Sequence, residues 1–222
     1  MYCVVDLGST KTEINLFSDD LCPLDRRGFE TPFRTEGGAV FIEPAPYFAE
    51  IISALEALLS RPETRASARR GFGLTVTGMG STVLAAEGGG GVIVPALSWE
   101  FRAPGAEIRD FPVSRTGKVL LPTYPLYKIA WMRERCGGRN PFFVSLPDYV
   151  LAGFLGFRGF HTDYSFASRS LLFDDAACDW DDGILAAAGV GRENLPVLLE
   201  AGTRMGPFDP SLRKRRDLHG VA

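Results

Sequence analysis

Histidine is nearly missing from this 222-residue chain, with His161 and His219 the only two. The four cysteines, Cys3, Cys22, Cys136 and Cys178, form no CxxC or other ligand spacing. A zinc site is therefore not expected, and scattered thiols fit a reducing cytoplasm. Lysine is scarce as well, limited to Lys11, Lys118, Lys128 and Lys214. The net charge of -3 gives no global basic field, so nucleic acid is not an expected partner. The basic cluster RKRRD at 213–217 is short and terminal and reads as a solvated tail. No apolar run approaches the roughly 20 residues of a membrane span. No charged-then-apolar leader precedes the first strand-like run. These absences predict a soluble, cytoplasmic protein that engages no membrane. A GxxxxGK[ST] phosphate loop is absent too.

What the chain has is a core. Hydrophobic residues make up 45%, with 16 Phe and 3 Trp, enough for one domain or one large and one small. MYCVVD reads as a buried strand and TEINLF as a second with alternating faces. Five residues separate them, which predicts an antiparallel hairpin. A third strand is expected in DRRGFETPF. PAPYFAEIISALEALLSRP switches to helical period, bracketed by Pro44 and Pro62. GFGLTVTGM returns to a strand, and STVLAAEGGGGVIVPALSW predicts two strands joined at Gly88–Gly91. Residues 101–122 read as irregular. Helices are expected from Pro125 to the stop at Gly137 and Gly138, over SLPDYVLAGFLG with Ser145 as cap, and over CDWDDGILAAAGV. Strands first and helices mixed in later predict an α/β or α+β class.

The stretch that carries chemistry is DLGSTKT, Asp6 to Thr12. A turn holding Gly8, Ser9, Thr10 and Thr12 offers backbone N–H groups and hydroxyls that suit phosphate oxygens. Asp6 would direct a carboxylate at the same place, as expected where a magnesium ion lies between acid and phosphates. Lys11 would add positive charge. The alternative is an ordinary exposed turn.

The order of later segments bears on that choice. DLGSTKT near 6, TGMGST near 80, PALSW near 97, LYKIAWMRE near 130, TDYSFASRSLLFD near 168 and LPVLL near 197 together resemble the FGGY family of carbohydrate kinases. The resemblance runs from Met1 to about Gly206 and is strongest over Thr162–Gly206. It implies an α/β domain of the ribonuclease H-like, actin-like ATPase type: a mixed β-sheet with an antiparallel N-terminal hairpin, flanked by helices. It also implies ATP-dependent phosphoryl transfer to a sugar or polyol hydroxyl, with Mg2+. Asp6 then looks like the magnesium-associated acid, and Gly8, Ser9, Thr10, Lys11 and Thr12 like the phosphate cradle.

The acceptor pocket implied by the resemblance falls on Gly78, Met79, Gly80, Trp99, Glu100, Arg102, Tyr124 and Asp163. Departures are visible. A G-Q-M-H type stretch is replaced by Gly78–Met79–Gly80, and a W-x-D-x-R pattern by Trp99–Glu100–Phe101–Arg102. The alternatives are a core Trp99, a solvated Glu100 and Arg102, helix-start packing at Tyr124 with a snorkelling Lys128, and a loop-fixing Asp163. No G-D-x-x-A stretch, which carries the family's catalytic base in its second domain, is present. The expected organisation is a kinase N-terminal domain over 1–206, a frayed tail over 207–222 and no C-terminal domain. The partners implied are a sugar or polyol, ATP and a missing C-terminal domain or second polypeptide, with a homodimer open. The chain alone is expected to be nearly inactive. A non-catalytic sugar-binding or regulatory half-kinase is the alternative, and a phosphate-ester hydrolase a third reading.

Overall fold

The N-terminal hairpin forms as expected. In the computed structural model, which describes residues 1–105, 111–112 and 116–213, strand β1 (Tyr2–Leu7) pairs antiparallel with β2 (Lys11–Phe17). Cys3, Val5 and Leu7 turn inward on β1, and Thr12, Ile14 and Leu16 on β2, the period-2 pattern of a half-buried sheet. β3 (Pro23–Glu30) continues the meander on the far side of β2. β6 (Gly73–Gly78) lies parallel to β1 on its other side, giving the sheet order β3-β2-β1-β6. The crossover from β3 to β6 passes through β4 (Arg34–Glu36), β5 (Ala39–Ile42), α1 (Pro44–Leu59) and α2 (Pro62–Ala68). A parallel neighbour requires such a crossover.

A second sheet, fully antiparallel, has the order β4-β5-β8-β7-β9, with β7 (Val83–Ala86), β8 (Val92–Leu97) and β9 (Phe142–Ser145). Every residue of β7 is buried, and alternate residues serve different cores. Leu84 and Ala86 join the core beneath α1 and α4 (Leu146–Phe154). Val83 and Ala85 join the one beneath α3 (Pro125–Arg133) and α6 (Asp182–Ala188). The second sheet is thus a wall between two hydrophobic cores.

Short elements complete the chain: β10 (His161–Asp163) parallel to β13 (Val197–Leu199), α5 (Tyr164–Arg169), the pair β11 (Phe173–Asp174) and β12 (Asp179–Trp180), and α7 (Pro210–Arg213). Ser145 caps α4 as expected, its Oγ accepting from the Asp148 N–H at 3.2 Å.

Three expectations change. The helix placed over CDWDDGILAAAGV begins only at Asp182: Asp179–Trp180 is extended against β11, and Asp181 accepts from the Gly183 and Ile184 N–H groups as the cap. The α3 helix ends at Arg133, before Gly137. Packed chain also extends beyond Gly206, because Phe208 lies against Phe72 and Phe154 with ring centroids 5.8 and 5.7 Å away. Most of the basic cluster at 213–217 lies outside the described residues.

Candidate functional site

Parallel pairing decides where the site can be. β1 and β6 run side by side, with Asp6 opposite Thr77 and Leu7 opposite Gly78, so their carboxyl ends open at the same edge. Ligands in α/β sheets sit in the crevice outside such ends. Gly78 has φ +139°, and a Cβ there would run into the Leu7 carbonyl. The Met79 N–H donates to that carbonyl at 3.1 Å, which locks the turn after β6 to the end of β1. Gly8 is equally constrained: a Cβ would stand 2.5 Å from the Lys11 carbonyl oxygen. Thr31 fixes the turn from behind, its Oγ1 donating to the Gly8 carbonyl at 2.7 Å.

An open cleft of about 850 Å³ begins at this edge. Asp6, Gly8 and Ser9 line one end, and Gly78, Met79 and Gly80 form the floor. Trp99, Asp163 and Arg169 reach it from elsewhere in the chain. Trp99 follows β8 and is 41% exposed, so it is not a core residue. Its N–H donates to Thr82 Oγ1 at 3.1 Å. Asp163 caps α5: its Oδ1 accepts from the N–H groups of Ser165 and Phe166 at 2.8 and 3.0 Å. Asp163 thus fixes the start of α5 and also lines the cleft.

Other predicted site residues lie elsewhere. Thr12 is fully buried, its Oγ1 bonded to Tyr47 OH at 2.5 Å and Thr31 Oγ1 at 3.1 Å. It pairs directly with Leu7, so strand alternation places it on the core face, opposite Asp6. Its expected place in the phosphate cradle is corrected on that ground. Lys11 Nζ lies 3.1 Å from Glu13 along β2 and does not line the cleft. Thr10 is exposed at the turn but also stands outside the lining. Glu100 and Arg102 are exposed and do not line the cleft. Between them Phe101 is buried and edge-on to Trp131 at 5.3 Å. Tyr124 begins α3 and offers its ring to Arg169 at 5.8 Å.

Arg169, Ser81, Ser165 and Phe166 line the cleft and were not anticipated. Arg169 Nη2 stands 3.3 Å from Ser81 Oγ. Gly80 makes this arrangement possible, since a Cβ at 80 would lie 2.8 Å from the Phe166 ring and 3.8 Å from Arg169 Cγ. The signal that was available is an Asp cap at 163 followed by a short helix, which carries its last-turn arginine back over the floor. Lys128, read as snorkelling, is in fact fully buried beneath this floor, and burial pulls its ammonium down to about 7. Asp148 is also buried near the floor, and desolvation pushes its carboxyl up to about 7 despite the Ser145 Oγ that donates to it at 2.7 Å.

Solved structures share this architecture. A gluconate kinase from Lactobacillus acidophilus superposes with a TM-score of 0.83 at 16% identity, over 98% of this chain and 45% of its own. A structure titled xyloylose kinase from Brucella ovis gives 0.81 at 21%, over 96% and 45%. The fold is that of the actin-like sugar kinases. Glycerol kinase 1 of Pseudomonas aeruginosa is 27% identical over 225 residues, 94% of this chain and 45% of that protein. The N-terminal domain of the FGGY family of carbohydrate kinases matches residues 1–219. The chain belongs to this family, and it spans about 45% of the length of these relatives.

Proposed function

We propose that the cleft is one wall of an ATP-dependent carbohydrate kinase site, in which the γ-phosphoryl of ATP passes to a sugar or polyol hydroxyl. The supporting observation is the convergence of Asp6, Ser9, Met79, Trp99 and Asp163, scattered over more than half the chain, on one opening. The Gly8–Ser9 backbone and the Ser9 hydroxyl receive phosphate oxygens. Trp99 gives the carbohydrate a flat apolar face, and Arg169 donates to its hydroxyls.

Mg2+ fits here in a limited way. Among the described residues no three His, Cys, Asp or Glu side chains gather into a metal site. A single exposed carboxylate at Asp6 suits an ion held mainly by phosphates and water. When bound with ATP, the ion would neutralise charge on the phosphates. The chain holds the acceptor and the phosphate turn, and the group that takes the hydroxyl proton lies in the second half of the complete enzyme. Closure of the two halves then excludes water. Among the described residues no helix is long and apolar enough to cross a membrane.

Calorimetric titration of the 222-residue chain with pentoses, hexoses, ketoses and polyols, followed by ADP release with Mg-ATP, tests this reading. One carbohydrate class should bind while ADP release stays at background. No binding across the panel would remove the acceptor assignment. Turnover by this chain alone would place a proton acceptor within it and overturn the half-site reading.

A further inference from the structure

Lys128 has no part in the chemistry above, yet its surroundings are specific. It sits on α3 with no solvent exposure, and its Nζ donates to the carbonyl oxygens of Ser81 at 2.8 Å and Ser98 at 2.6 Å. Those carbonyls belong to different segments. Ser81 closes the turn after β6, and Ser98 follows β8 directly. The β7–β8 ladder ends at the pair Val83–Leu97, so beyond it the two segments part. Lys128 fills the fork. Among the described residues no carboxylate neutralises it.

An apolar side chain of the same length would occupy the volume without the desolvation cost of a buried amine. Stability is therefore a poor reason for a lysine here, whereas a donor that spans two main-chain carbonyls sets a distance. The residues whose separation it sets face the cleft. Met79, Gly80, Ser81 and Trp99 all line it. The Thr82–Trp99 hydrogen bond runs alongside as a second tie.

We infer that Lys128 is a positioning residue for the carbohydrate side of the cleft: by holding the Ser81 and Ser98 carbonyls, it keeps the Met79–Ser81 turn and Trp99 at a fixed separation. The consequence for carbohydrate affinity rests on the kinase reading. The tie itself does not.

The chain labelled with 5-fluorotryptophan tests both. It has three tryptophans; Trp180 shares a core with α3 and packs on Phe173 at 6.1 Å, so persistence of its fluorine line reports that this core is still folded. Trp99→Phe assigns the Trp99 line. In Lys128→Met the Trp99 line should shift or broaden while the Trp180 line stays, and carbohydrate affinity should fall at least about tenfold. Lys128→Arg keeps donors in the fork and should recover part of that loss. An unmoved Trp99 line, or unchanged affinity in Lys128→Met, overturns the inference. Global unfolding of both variants, with the Trp180 line lost, would make Lys128 a core support and also overturn it. A displaced Trp99 line in a chain whose wild type binds no carbohydrate upholds the tie and overturns the kinase reading.

Discussion

The two ends of the cleft are built in different ways. The Asp6–Ser9 end is a local structure, one hairpin turn closed by neighbours in sequence and braced by Thr31. The Trp99 end is assembled from four separated segments: the turn after β6, the exit of β8, the start of α3 and the helix α5. The comparison teaches that a turn defined by backbone shape, the kind proposed here for phosphate, can be encoded by a short motif. Recognition of an acceptor needs side chains held at set separations, and these come from wherever the fold brings them.

The sharpest way to break the hairpin end is Gly78→Ala. It demands a positive φ from a residue with a Cβ and drives that atom into the Leu7 carbonyl. The loss should be roughly 2–4 kcal/mol by urea denaturation, the largest effect expected here. Thr12→Val comes next. It leaves the buried Tyr47 hydroxyl without its 2.5 Å partner and should cost about 1–3 kcal/mol while carbohydrate affinity stays constant. Asp6→Ala is its counterpart on the opposite face. It should change stability by no more than about 0.5 kcal/mol, because the residue is exposed, yet abolish phosphoryl transfer in the complete enzyme. If Thr12→Val instead weakens ligand binding as much as Asp6→Ala weakens transfer, the division of the hairpin into chemical and core faces fails.

At the other end, Trp99→Ala should weaken carbohydrate binding about tenfold, roughly 1.4 kcal/mol, measured by calorimetry. Glu100→Gln should leave it nearly unchanged, since Glu100 is exposed and does not line the cleft. Equal losses would move the acceptor pocket outward along the chain after β8.

A smaller effect separates the buried groups near the floor. The Asp148 carboxyl is pushed up to about 7 by burial, so between the ordinary carboxylate range and about pH 7 the folded state binds more protons than the unfolded one. Stability from this group is fully present in acid and lost as pH rises towards 7. Lys128, pulled down to about 7, acts with the opposite sign in a higher window: its burial penalty is full below about pH 7 and relieved as pH rises towards the ordinary lysine range. Asp148→Asn should flatten the first slope and leave the second, as denaturation midpoints from pH 4 to pH 9 would reveal.

Local pattern made the hairpin, α1 and α4 legible. Alternation in YCVVD and EINLF, the bracketing prolines of α1 and the serine cap of α4 each act within a few residues. The same alternation contained the correction at Thr12, because a residue paired with Leu7 must share its buried face. The α6 boundary was misread because Trp180 is apolar at helical spacing, while its indole Nε1 donates to the Pro196 carbonyl at 3.3 Å in an extended conformation. Arg169 and Lys128 were illegible for another reason. Their partners, Ser81 and Ser98, are 88, 47 and 30 residues away in sequence.

By itself the sequence determined the class of domain, the N-terminal hairpin and the family, since strand period, turn glycines and motif order are properties of neighbouring residues. Only the tertiary structure decided that Trp99 and Arg169 share a cleft with Asp6, and that a lysine is buried in the fork beneath them. Those outcomes depend on the parallel β1–β6 pairing and on a sheet packed on both faces, and long-range packing leaves no local period from which they can be read.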